Sequence, residues 1–315
     1  MVLAKKRKSS NRRKSPGSRR PLAALLLIIL LITLAFYLLE KTRHRAPEKI
    51  AGKPQLSERQ KMPSRPVAQR PAEYAAYSAA VAPLTRAKAK PRLIGTGNVA
   101  IIVDDMGSSM EEARALLAIG LPVTFSIIPG LAKARGVAEA VHERGGEVMI
   151  HMPMEPKGYP QQRLEKNGLL LAESSEEIEA KVNGYFLAIP YAVGANNHMG
   201  SRFTESEGKM QPVLQLLKGR EMFFIDSRTS PASVGYSLAR KMGLRAGTRQ
   251  VFLDNVQDVA AIKVQLRQVA EAARKRGSAI AICHPHPTTI QALTSTLPAL
   301  KNEGITFVYA SQLVR

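Results

Sequence analysis

Asp104 and Asp105 stand together at the end of the apolar run Val-Ala-Ile-Ile-Val, and His151 closes Glu-Val-Met-Ile in the same way. Asn196, Asn197 and His198 follow Ala-Val-Gly-Ala, Asp226 ends Met-Phe-Phe-Ile, and His284-Pro285-His286 ends Ala-Ile-Ala-Ile-Cys. A carboxylate with several imidazoles is a ligand set for a borderline cation such as Zn²⁺. A second carboxylate and a spare histidine beside it would allow hydrolysis by a metal-activated water. Taken singly, each residue is an ordinary turn former, helix cap or hydrogen-bonded histidine. Their recurrence at the same place after successive apolar runs carries the reading. Asp254, which ends Gln-Val-Phe-Leu, and His142, inside a helical pattern, keep those ordinary roles. No other catalytic signature competes: the chain has no G-x-x-x-x-G-K-[ST], no G-x-S-x-G and no H-E-x-x-H.

The elements that must position these residues alternate regularly. Short β-branched runs are expected as strands over 98–103, 122–128, 147–151, 192–195, 222–225, 249–253, 279–283 and 305–309. Amphipathic stretches lie between them, with helix starts at Ser108-Ser109, at Ser174 with Glu177 and at Thr204 with Glu207, the last two at capping-box spacing. Gly145 and Gly243 fall where helix C-terminal glycines belong. Strands and helices in strict alternation make a mainly parallel α/β domain, and so many strands suit a barrel better than an open doubly wound sheet. In either arrangement the C-terminal strand ends form the face where sites are built.

Composition narrows the partners. The net charge of +21 is uneven: residues 1–92 hold 22 basic and 4 acidic side chains, residues 93–315 hold 24 and 21. A nearly neutral globular part argues against a nucleic-acid-binding domain. The single cysteine, Cys283, excludes an intrachain disulfide framework and a Cys-based zinc site. Nine basic residues in the first twenty precede Pro21–Leu39, nineteen residues without a charge. As a helix that run would span about 28 Å, close to a bilayer core. The sequence therefore predicts a basic cytoplasmic tail over 1–20, a transmembrane anchor over 21–39, a proline-rich basic linker over 40–92 and a globular domain over 93–315. It expects a single-pass protein of the inner membrane, its N-terminus in the cytoplasm and its domain in the periplasm or outside. No residue pattern names a protein partner.

At the site residues the chain resembles the divergent polysaccharide deacetylases, relatives of the metal-dependent carbohydrate esterases. The matching segments are Ile-Val-Asp-Asp-Met-Gly (102–107), Thr-Phe-Ser-Ile-Ile-Pro-Gly (124–130), His-Met-Pro-Met-Glu-Pro (151–156), Asn-Asn-His-Met-Gly-Ser-Arg-Phe-Thr (196–204), Phe-Phe-Ile-Asp-Ser-Arg-Thr (223–229) and His-Pro-His-Pro-Thr-Thr (284–289). The resemblance covers roughly residues 95–315 and implies a distorted (β/α) barrel of about seven strands. It implies Asp104 as catalytic base, Asp105 and His151 as metal ligands and His284 as general acid or its orienter, with His286 beside it. The family's second metal histidine lies four residues after the first, where this chain has Glu155; His198 is the replacement. Asn197, Glu155, Arg202, Asp226 and Arg228 would support the ligands or the substrate. The implied activity is removal of acetyl groups from a glycan of the cell envelope, with Zn²⁺ as the expected cofactor. With no tryptophan in the chain, sugar stacking would fall to Tyr159, Phe203 or Tyr236. Two alternatives stay open: a protein that keeps the metal and binds glycan without hydrolysis, and a hydrolase of another acyl or phosphoryl bond.

Overall fold

The computed structural model describes residues 95–315 and, before them, only Thr33. Nine strands run in order β1 (Gly97–Met106), β2 (Thr124–Ile127), β3 (Glu147–Met154), β4 (Ala192–Met199), β5 (Phe223–Asp226), β6 (Ala246–Thr248), β7 (Val251–Phe252), β8 (Ser278–Cys283) and β9 (Ile305–Phe307). Seven α-helices alternate with them: α1 (Met110–Leu117), α2 (Ala134–Glu143), α3 (Ser175–Ala188), α4 (Glu207–Gly219), α5 (Gly235–Lys241), α6 (Val259–Arg276) and α7 (Pro287–Asn302). The strands make one parallel sheet in the order β6-β5-β4-β3-β2-β1-β8-β7, with β9 paired to the start of β1.

The expected strand 249–253 shortens to β7, Val251–Phe252, and the separate strand β6 precedes it. The two lie at opposite ends of the sheet path although only Arg249 and Gln250 separate them. Three residue steps reach at most about 10 Å, so the sheet must curl until its two edges nearly meet. Arg249 N–H donates to the Asp226 carbonyl of β5 at 3.1 Å, and Gln250 N–H donates to the Ile280 carbonyl of β8 at 2.9 Å. The dipeptide thus straps the seam of a curled, barrel-like sheet of eight strands, close to the number of about seven that the resemblance implies, with β9 as a ninth outside the path.

The curl creates two apolar layers. A smaller cluster joins Ala100, Ile102, Met149, Phe223, Ile225, Ile280 and Ile282 with Ala310 and Val314; it takes no residue from the seven helices and fills the inside of the sheet. The larger cluster packs the opposite strand faces against the helices through Val103, Ala195 and Phe224, among others. Gly194 lets the filling close, because a Cβ there would come within 2.5 Å of the Phe223 ring.

Helix ends follow local chemistry. The Ser109 side chain accepts from Glu112 N–H at the start of α1, and Ser174 with Glu177 completes the capping box of α3. Gly145 and Gly243 both take positive φ. The box expected at Thr204 and Glu207 does not form: a 3₁₀ turn occupies Phe203–Glu205, α4 starts after Ser206 without a side-chain cap, and Thr204 Oγ1 donates to the Gly200 carbonyl instead.

The inner-membrane placement expected from the sequence is corrected. Among the described residues no helix is long and apolar enough to cross a membrane. The longest, α6, has Lys263, Arg267 and a basic last turn along its eighteen residues. The tail, the 21–39 run and the linker of the sequence reading lie outside the described residues.

Candidate metal centre

Strand parity explains which polar residues converge. Side chains alternate along a strand, so the inward row Ala100–Ile102 of β1 ends in Asp104. By the same step Met149 leads to His151, Gly194 to Asn196 and His198, and Ile282 to His284. Asp105 should point outward like Val103. The β1 ladder slips register between Val103 and Met106, and Asp105 takes φ 57°. This bulge turns its carboxylate to the same rim as that of Asp104. Met199 and Arg228 also hold left-handed backbones at strand ends, a conformation that costs free energy for residues other than glycine and clusters at functional sites.

Asp105 Oδ1 lies 2.8 Å from His198 Nδ1 and 3.2 Å from His151 Nε2, and the two ring nitrogens are 3.1 Å apart. Three donor atoms on edges near 3 Å match one face of a tetrahedron around a cation with ligand bonds of about 2.0–2.1 Å, whose edge is about 3.3 Å. Asp105 Oδ1 is buried and completes no hydrogen bond despite these approaches, a condition a cation would relieve. The residues present fit a divalent metal.

The next shell holds the donors in place. Asn196, fully buried, accepts at Oδ1 from His151 Nδ1 at 2.7 Å and from Ser126 Oγ at 2.6 Å, while its Nδ2 donates to Asp104 Oδ1 at 2.8 Å. That fixes the His151 tautomer with its Nε2 lone pair toward the triangle. Asp104 Oδ2 remains 3.6 Å from His151 Nε2. On the other side His284 Nε2 is 3.7 Å from Asp105 Oδ2. Its Nδ1 meets Asp254 Oδ1 at 3.1 Å, and Asp254 Oδ2 accepts from His284 N–H and Thr289 Oγ1. Asp254 is therefore a buried partner of His284, not the ordinary turn residue expected from the sequence.

Electrostatics follow from burial against charge. Burial raises the Asp104 carboxyl, opposed but not overcome by His151 and His284. Burial would raise Asp105 also, but His198 and His284, with the approaches of His151 and His198, hold it well below its ordinary value. For His151 burial disfavours the charge, yet Asp104 and Asp105 raise its pKa to about 9. Asp254 is held low against its burial by its bonds to His284.

The other expected site residues lie elsewhere in this framework. Asn197, in step with Ala195, turns toward the helix layer, accepting from Ser227 N–H and donating to Met199 O and Thr229 Oγ1. Asp226, in step with Phe224, accepts from Arg228 N–H, Ser233 Oγ and Tyr236 N–H, and so ties down the entry to α5. Glu155 clamps two loops, accepting from Arg202 Nη1 at 2.9 Å and from Leu171 N–H at 2.8 Å. The Arg228 guanidinium donates to the Pro231 carbonyl, at 3.4 Å. His286 contacts Gln257 through Nε2 and stands beside His284, ring centroids 5.8 Å apart. Phe203 is fully buried and cannot stack on a sugar. Tyr236 lines a cavity of about 250 Å³ with Thr248, Arg276 and Arg315, none of them a site residue. Tyr159 is exposed in the loop after β3.

Comparison with known proteins agrees with this architecture. Residues 101–314 match the model of a family described as divergent polysaccharide deacetylase. Protein YibQ of Escherichia coli, itself uncharacterized, is 39% identical over 218 residues, 69% of this chain and 67% of that protein. An uncharacterized Haemophilus influenzae protein is 35% identical over 205 residues, 65% of this chain and 72% of that one. The crystal structure of the uncharacterized protein ATU2773 from Agrobacterium tumefaciens shares the fold, with a TM-score of 0.67 at 23% identity over 77% of this chain and 95% of that one. With more than half its length matched to the family, the chain belongs to the divergent polysaccharide deacetylases.

Proposed function

We propose that this protein is a metal-dependent hydrolase that removes acetyl groups from a glycan. The observation that carries the reading is the donor triangle on Asp105 Oδ1, buried and without a hydrogen bond, with Asp104 and His284 on either side. Asp105, His151 and His198 would hold the cation, with Zn²⁺ the best match to two imidazoles and one carboxylate. Bound there, such a cation would lower the pKa of a water toward about 7 and polarise the acetyl carbonyl.

The chain's own groups would divide the proton work. Asp104, its Oδ1 engaged by Asn196, keeps Oδ2 to take the proton from the attacking water. His284, held at Nδ1 by Asp254, presents Nε2 to give a proton to the leaving amine or hydroxyl. His286, set against Gln257, is the less well placed donor. Family membership supports a glycan as substrate, and Tyr159, on the loop after β3, is an exposed aromatic residue.

The test is acetate release from acetylated glycans by the full chain purified without chelator, alongside elemental analysis. One zinc per chain with release that Asp104→Asn abolishes would support the assignment. Metal without release from any acetylated glycan would favour the glycan-binding alternative, and no metal uptake would overturn the reading.

A further inference from the structure

The strand β3 and helix α3 are joined by a twenty-residue connection, 155–174, without regular structure. It is not loose. Glu155 N–H donates to Leu169 O at 2.9 Å, Leu169 N–H to Pro153 O at 2.8 Å, and Asn167 Nδ2 to Pro129 O at 2.9 Å. Within it Glu165 turns its carboxylate toward the rim. Its Oε2 is buried without a hydrogen-bond partner and lies 3.6 Å from His198 Nε2.

The other rim histidines show what that position does. His151 puts Nε2 in the donor triangle and gives Nδ1 to Asn196 at 2.7 Å. His284 turns Nε2 to the rim and gives Nδ1 to Asp254 at 3.1 Å. His198 is reversed: Nδ1 lies in the triangle and Nε2 points away from it, toward Glu165. An imidazole that ligates through one nitrogen carries its proton on the other, and an acceptor there fixes ring orientation and strengthens the donor. A buried carboxylate oxygen without a partner needs a donor as much as the ring needs an acceptor.

We infer that Glu165 is a positioning residue for His198: with the cation bound, its Oε2 closes the present 3.6 Å separation and accepts the Nε2–H, so that Nδ1 faces the metal. The inference rests on the metal reading above. It also gives the connection a function: Glu155, at the place of the family's second metal histidine, anchors the segment that brings a carboxylate to the substitute ligand.

The test titrates the full chain with zinc alone against a chromophoric chelator, and records the ¹⁵N histidine tautomer pattern of the zinc-loaded protein. Glu165→Ala should weaken zinc binding about 10–100-fold and shift the His198 Nε2 resonance. Glu165→Gln, which keeps an acceptor oxygen, should recover part of the affinity. If Glu165→Ala does not fold, Glu165→Gln decides alone, with a several-fold weaker Kd and the same resonance shift expected. Wild-type zinc uptake with unchanged Kd and unchanged His198 resonances in the variants overturns this inference only. A wild-type chain that takes up no zinc overturns the metal reading and this inference with it.

Discussion

Asn196 offers the most demanding test, because one buried amide serves both the donor triangle and the base. Asn196→Ala removes the bond to the Asp104 carboxylate and the bonds from His151 and Ser126. A hydrogen bond to a charged group contributes about 1.5–3 kcal/mol and each neutral one about 1 kcal/mol, so the folded chain should lose about 3.5–5 kcal/mol. With the His151 ring no longer held, zinc affinity should fall about 10–100-fold. Asn196→Asp separates the two duties. It keeps an acceptor for His151 but sets a carboxylate where Nδ2 now lies 2.8 Å from Asp104 Oδ1. Zinc affinity should stay within about threefold of wild type while acetate release falls by about 100-fold or more, the range of a displaced general base. Denaturant unfolding gives the first quantity, chelator competition the second and acetate release the third. An Asn196→Ala chain that binds zinc with the wild-type Kd would refute the claim that this amide orients His151.

Three further outcomes are expected. Asp254→Asn should lower kcat by about 100-fold through loss of His284 positioning while zinc affinity stays within about twofold; a kcat near wild type would remove His284 from the proton path. Asp226→Ala should cost about 2–4 kcal/mol of stability, since it leaves Arg228 N–H, Ser233 and Tyr236 N–H without their acceptor, and zinc binding should not change, so a large change in Kd would show that its side chain serves the metal after all. In the metal-free chain His151 has its pKa raised to about 9 by the two aspartates against the effect of burial. A raised histidine contributes stability that is fully present below about pH 6.5 and lost as pH rises to about 9. The melting temperature of chelator-treated protein should therefore fall across that window, and zinc-saturated protein should not show the fall; parallel profiles would contradict the assignment of His151 as a ligand.

Much of the fold was legible because its signals are local. Alternating β-branched runs and amphipathic stretches mark strands and helices, and Ser109 and Ser174 cap helices through side chains a few residues away. Runs of apolar residues ending in Asp or His also located the rim. What the sequence could not show was direction. In a curled sheet packed on both faces the strands read as continuous apolar runs, so nothing in Phe-Phe-Ile-Asp distinguishes an outward Asp226 from an inward Asp104. The missed partners, Asn196, Ser126 and Asp254, lie on the inward parity that only the closed sheet defines. The shortening of 249–253 to β7, with β6 on the opposite edge, has the same origin, since only the meeting of distant edges makes Arg249 and Gln250 a seam. Sequence by itself therefore determined the alternating elements and the set of candidate ligands. Tertiary structure alone decided which of them meet: the bulge at Asp105, the curl that brings β1, β3, β4 and β8 to one rim, and the loop that carries Glu165 to His198 all depend on contacts between residues far apart in the chain.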